Sequence, residues 1–182
     1  MTNTAWMRRK MAARKYQPKR IRLLLIAESP PADEARYFYF EDVDTADYLF
    51  EEVCGVLFGG KPQHDKVPYL KELRRRGIFL VDLKPDAPRQ REKLGPYVAP
   101  FLLNVEMLAP KSIILIKADV YDAAYSAMKE AGLPVVDVRI PFPSTGQQVD
   151  FRQKFRQALV RGGLENLNRP LPPSKAEEDD QV

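Results

Sequence analysis

The chain has one cysteine and one histidine in 182 residues, and these two scarcities remove whole classes of chemistry. A single thiol, Cys54, leaves no internal disulfide framework, no cysteine-held iron–sulfur cluster and no multi-cysteine zinc site. Cys54 falls within a helical apolar pattern and reads as an inert core residue. A single imidazole, His64, in the polar stretch Lys61–Lys66, rules out any site built from several histidines and reads as an exposed loop residue. No apolar run approaches the roughly 20 residues that span a bilayer. The basic N-terminal stretch is not followed by an apolar signal segment, so the expectation is a cytoplasmic protein without a membrane partner. Acid is also absent from the start. Arg8, Arg9, Lys10, Arg14, Lys15, Lys19, Arg20 and Arg22 all precede the first carboxylate, Glu28, and without them the net charge of +4 changes sign. The basicity therefore belongs to residues 1–20, read as a flexible arm able to follow a phosphate backbone, or as a solvated leader.

What is present is an alternation of strand and helix. Ile21–Ala27 is a short apolar run ended by Glu28-Ser29-Pro30-Pro31, the pattern of a buried parallel strand entering a stiff turn. Helices follow over 45–58, with Thr45 as N-cap, and over 67–76, stopped by Gly77. Strand two is 77–83, a helix covers 96–108 despite Pro100, and strand three is 112–116. A helix over 119–131 closes at Gly132, strand four is 134–138, and the last helix is 149–161. The reading is one α/β domain over 21–165, a three-layer α/β/α fold with a central four-stranded parallel sheet, and a disordered polar tail over 166–182.

Ligands in open α/β sheets sit beyond the carboxyl ends of the strands. Three proline-bearing loops meet there: Glu28–Pro31, Asp82–Pro88 and Pro141–Gln148. They offer a carboxylate with a hydroxyl, a second carboxylate with Lys84, and a hydroxyl–amide loop opening a helix, where backbone amides can take a phosphate.

These motifs, in this order, resemble the uracil-DNA glycosylase superfamily. Ala27-Glu28-Ser29-Pro30-Pro31 is similar to its Gly-Glu-Ala-Pro-Gly motif. Gly77 through Lys84, Leu108-Ala109-Pro110-Lys111 and Ser112–Leu115 resemble its strand, loop and Pro-Lys-strand stretch, and Pro141-Phe142-Pro143-Ser144 stands where the family has His-Pro-Ser-Pro. The resemblance implies a fold like that superfamily's and excision of uracil or another deaminated base from DNA, with DNA as partner, as a monomer without metal or cofactor. It implies Glu28 and Ser29 as catalytic residues, Glu28 positioning water. Phe40, then Tyr39, would stack the extruded base and Asp82 would read its edge, while Ser144, Thr145, Gln147 and Lys84 would contact the nucleic acid. The chain departs from the family at two places. Ile140 stands for the motif histidine, and Val81 or Asp82 for the base-reading asparagine. A non-catalytic nucleic-acid or nucleotide-binding relative is therefore the second reading, and an unrelated phosphate-ligand binder the third.

Overall fold

The computed structural model describes residues 3–42, 47–62, 65–87 and 92–172. The chain opens with helix α1 (Asn3–Lys15), then strand β1 (Leu23–Ala27), helices α2 (Tyr48–Phe58) and α3 (Val67–Arg76), and strand β2 (Ile78–Asp82). Helix α4 (Gly95–Leu108), strand β3 (Ile113–Leu115), α5 (Ala118–Glu130), α6 (Gln148–Arg161) and a 3-10 turn at Glu165–Leu167 complete it. All of β1 is buried, which is why it reads as a continuous apolar run and why it lies at the centre. The sheet order is β2-β1-β3, all parallel, with Leu23 opposite Ile78, Ala27 opposite Asp82 and Ile26 opposite Leu115.

The sheet has three strands where four were expected. The segment after α5 makes only two isolated parallel bridges to the β3 side, Ile113 with Val135 and Ile116 with Ile140. Between those bridges it advances five residues while its partner advances three, so a continuous ladder cannot form. The bulged residues bond elsewhere. The Tyr121 hydroxyl donates to Asp137 at 2.6 Å, and Arg139 pairs with Asp122 at 2.7 Å. Ile140, standing at the family's histidine position, is fully buried core.

Two terminal assignments also change. Residues 3–15 are not a flexible arm but helix α1, docked through Ala5, Arg9 and the following Tyr16, all under 10% exposed. The Tyr16 hydroxyl donates to Glu41 at 2.6 Å, and Lys15 pairs with the same carboxylate. The start of the expected tail is packed as well. Leu167 is fully buried, and the carbonyls of Leu167, Arg169 and Pro170 all accept from Arg76. Residues 173–182, along with Thr45 and His64, lie outside the described residues. The N-cap of α2 is Asp47, whose side chain accepts from the Phe50 amide.

Candidate functional site

The parallel register determines which residues leave the sheet together. Ala27 and Asp82 are opposite one another at the last β1–β2 pair, and the chain continues in contact: Leu83 N–H donates to Ala27 carbonyl at 2.8 Å and Lys84 N–H to Glu28 carbonyl at 3.0 Å. On the other flank Ile116 N–H donates to the Ile26 carbonyl, which brings Lys117 alongside Glu28. The Lys117 ammonium forms an ion pair with Glu28, and a second with Asp119 at 3.2 Å. Lys117 holds φ at +84°, a left-handed backbone that an L residue adopts only under strain of about 1–3 kcal/mol. Such strain at a strand exit is a mark of functional sites.

A cleft of about 500 Å³ opens over these strand ends. Glu28, Ser29, Asp82 and Lys117 form its polar floor, and Tyr37, Phe38, Tyr48 and Phe142 its aromatic walls. Phe142 and Tyr48 are exposed, so the rim offers rings to a planar ligand. Ser144, Arg36 and a third carboxylate, Asp47, add to the polar lining.

The carboxyls are electrostatically unlike. Asp82 is half-buried, and desolvation pushes its pKa up to about 7; Arg9 opposes this and the Glu28 charge adds to it. Near neutrality Asp82 thus carries a proton for much of the time. Burial acts to lower the Lys117 ammonium's pKa, but the Glu28 and Asp119 carboxylates outweigh it and the net direction is upward. Burial pushes the Tyr37 phenol up, the Asp82 charge adding and Arg9 opposing, so it faces the cleft as a neutral donor.

Two braces hold this geometry. The Arg9 guanidinium, from α1, donates to the carbonyls of Pro31 at 2.7 Å and Asp33 at 3.2 Å, and lies 5.9 Å from the Tyr37 ring. The buried Lys66 ammonium donates to the Tyr37 carbonyl at 3.2 Å and to Asp47 at 3.0 Å, tying the aromatic segment to the N-cap of α2. Burial lowers the pKa of Lys66, with Asp47 resisting the shift.

Of the residues chosen from sequence, Glu28, Ser29, Asp82 and Ser144 line this cleft. Tyr39 and Phe40 do not. Tyr39 is buried behind β2, where its hydroxyl donates to the Leu80 carbonyl at 2.9 Å and accepts from the Leu80 amide at 2.6 Å. Phe40 packs edge-on against Tyr37, with the Arg8 guanidinium 4.3 Å from its ring. The aromatics that face the cleft are their neighbours Tyr37 and Phe38. Lys84 is fully buried, paired with Glu92 and donating to the Ala87 carbonyl. Thr145 and Gln147 are exposed outside the lining, and Gln147 starts α6 without a side-chain cap. Sequence reasoning missed Lys117, Arg36 and Arg9. Lys117 carried a signal, as the first residue beyond a predicted strand. Among the described residues no cluster of three or more His, Cys, Asp or Glu gathers to hold a metal ion. Cys54 is fully buried, and burial raises its pKa well above the usual thiol value.

No protein-family model matches the chain, and comparison with curated proteins gives no match.

Proposed function

We propose that the chain is a divergent DNA glycosylase that hydrolyses the N-glycosidic bond of a deaminated base. One observation carries this reading: two carboxyls share one aromatic-walled cleft at the ends of adjacent strands, Glu28 ion-paired with Lys117 and Asp82 with its pKa pushed up by burial to about 7. Pairs of acids whose environments separate their pKa values are the usual arrangement for glycosidic hydrolysis.

In the proposed reaction the extruded base enters between Tyr37, Phe38 and Phe142. The C1′–N bond breaks with its electron pair going to the base, and positive charge develops on the sugar. Glu28 orients a water and takes one of its protons as the remaining hydroxyl joins C1′. Asp82 gives its proton to the departing base, and solvent returns both acids to their starting states. A neutral Asp82 supplies a donor where the family's histidine is absent, and it does not repel the developing anion. Lys117, through its ion pair, fixes the position of Glu28 at the strand exit.

The same Lys117–Glu28 pair favours the second reading, a module that binds nucleic acid or a nucleotide without cleaving it, because the carboxylate already has a cation. Base release from oligonucleotides carrying uracil, hypoxanthine or xanthine separates the two. For a glycosylase, Glu28→Gln lowers release by roughly 10²–10⁴-fold while leaving binding nearly intact. Full activity in that variant removes Glu28 from the mechanism. No release from any of these substrates by the wild-type chain, with binding preserved, selects the binding module.

A further inference from the structure

The opposite edge of the sheet carries a second cleft of unlike character. It measures about 750 Å³ and is lined by Pro18, Gly77 and seven cations: Lys19, Arg20, Arg22, Lys71, Arg74, Arg75 and Lys111. Among the described residues its lining has no carboxylate and no aromatic ring. The cations come from segments distant in sequence that the fold gathers at the amino ends of the strands. Arg22 immediately precedes β1, Arg74 and Arg75 end α3 just before β2, and Lys111 leads into β3. The backbone joins them, Arg22 N–H donating to the Gly77 carbonyl at 2.8 Å and Lys111 N–H to the Ile21 carbonyl at 3.0 Å. Gly77 is what permits the closeness: its φ is +74°, and a Cβ there would lie 2.8 Å from the Arg20 carbonyl oxygen. Arg75 pairs with Glu72, and Arg22 reaches Asn166. Lys19, Arg20, Lys71, Arg74 and Lys111 are exposed, and no carboxylate of the described residues lies within ion-pair distance of them.

We infer that this cleft is a docking surface for the phosphodiester backbone of nucleic acid, separate from the cleft that holds Glu28. Holding this many like charges together is unfavourable unless an anion answers them. The lining identifies the kind of anion. Among the described residues the lining holds no aromatic ring to stack on a base and no side-chain carboxylate or amide to accept from one. What it offers is donors and positive charge, the pattern of phosphate-backbone contact. The cleft is open rather than enclosed, which suits an extended polyanion better than a small molecule.

The test measures binding of the full chain to a short undamaged DNA duplex by anisotropy between about 50 and 200 mM salt. The variant combines Lys19→Gln, Arg20→Gln, Lys71→Gln and Lys111→Gln, all at exposed positions outside the Glu28 cleft. Each phosphate neutralised contributes about 0.9 to the slope of log K against log salt, so the variant is expected to lose about 3 to 4 from that slope. A doubly substituted chain, Lys71→Gln with Lys111→Gln, serves if the fourfold variant does not melt like the wild type, with an expected loss of about 2. An unchanged slope overturns the proposal. Tripolyphosphate separates the sources of phosphate: tight binding that the substitutions abolish, with the DNA slope unaltered, assigns the cleft to a small polyanion and also overturns it. Undamaged DNA requires no excision, so this result stands apart from whether the Glu28 cleft releases a base.

Discussion

The two ends of the sheet use charge in opposite ways. At the carboxyl end the charged groups have partners: Glu28 pairs with Lys117, Asp47 with Lys66, and Arg9 donates to the carbonyls of Pro31 and Asp33. Aromatic rings surround that end, and its backbone is strained at Lys117. At the amino end the lining charges of the described residues are of one sign, and Lys19, Arg20, Lys71, Arg74 and Lys111 are exposed without a carboxylate at ion-pair distance. An ordered, internally compensated site is suited to chemistry or to reading a single group. An uncompensated one is suited to long-range attraction, which salt screens.

Arg76 breaks the uniformity of the amino end and gives the largest stability effect. It lies beside Arg74 and Arg75 in sequence, but its guanidinium is buried, 4.6 Å from the Phe58 ring. It pairs with Glu72 at 2.7 Å and donates to the carbonyls of Leu167, Arg169 and Pro170 at 2.7, 2.9 and 3.0 Å. Replacing it leaves the buried Glu72 carboxylate with Arg75 as its remaining cation and takes the donor from three carbonyls. Arg76→Met is expected to cost about 3–5 kcal/mol in chemical denaturation and to release the 167–170 segment to proteolysis. Arg74→Gln, on the exposed side, is expected to change stability by less than about 0.5 kcal/mol. Equal effects from the two would mean that the burial distinction along this run is wrong.

Arg76 and α1 also show where the sequence stopped being readable. The strand β1, the stop of α3 at Gly77 and the position of Glu28 were legible because each has a local signature: an apolar run, a left-handed glycine, a carboxylate at a strand exit. Helix α1 was not, because the residues that dock it are Ala5, Arg9 and Tyr16, with Ala12 and Ala13 partly buried against the core. Their helical spacing is regular, but alanine is small and arginine counts as polar, so the buried face has almost no hydrophobic contrast. The missing fourth strand has the reverse cause. Pro134–Val138 has the composition of a strand, and only a two-residue difference in register, set by Tyr121, Asp122 and Arg161, prevents the ladder. The choice among Tyr37, Phe38, Tyr39 and Phe40 depended on which rings the sheet occupies from behind, and four consecutive aromatics contain no such information.

Asp82 sharpens the comparison at the carboxyl end through pH. Its folded pKa of about 7 lies above the usual unfolded value of about 3.9. Between those values the folded chain keeps a proton that the unfolded chain has lost. This contribution to stability therefore falls as pH rises from about 4 to 7, and levels off above the folded value. Asp82→Asn should leave stability almost unchanged near pH 4 and raise it by roughly 2–4 kcal/mol near pH 8, seen in denaturant titrations at both pH values. In the proposed excision mechanism the same substitution takes away the proton donor, so base release is low at every pH and its fall above pH 7 disappears with it. A variant that tracks the wild type at every pH would show that Asp82 is ionised in the folded chain throughout.

The smallest effect concerns the backbone on which each end mounts its cation. Lys117 and Lys111 both border β3, but only Lys117 sits at positive φ. Its ion pair with Glu28 is partly exposed, 31% and 20% for the two side chains, and is therefore expected to contribute under about 1 kcal/mol. Lys117→Ala removes the pair and keeps the strain, since alanine dislikes φ of +84° as much as lysine does. Lys117→Gly removes both. Glycine at 117 should therefore be more stable than alanine by about 1 kcal/mol, against its usual entropic disadvantage. At Lys111, on ordinary backbone, the same two substitutions should fall in the usual order, alanine above glycine. Denaturation midpoints of the four variants decide the matter. The reversed order at 117 alone would locate the strain at the carboxyl end, where the cleft places Glu28 and Asp82 together. The usual order at both positions would mean that the positive φ costs the chain nothing, and the two ends would then differ in charge but not in backbone.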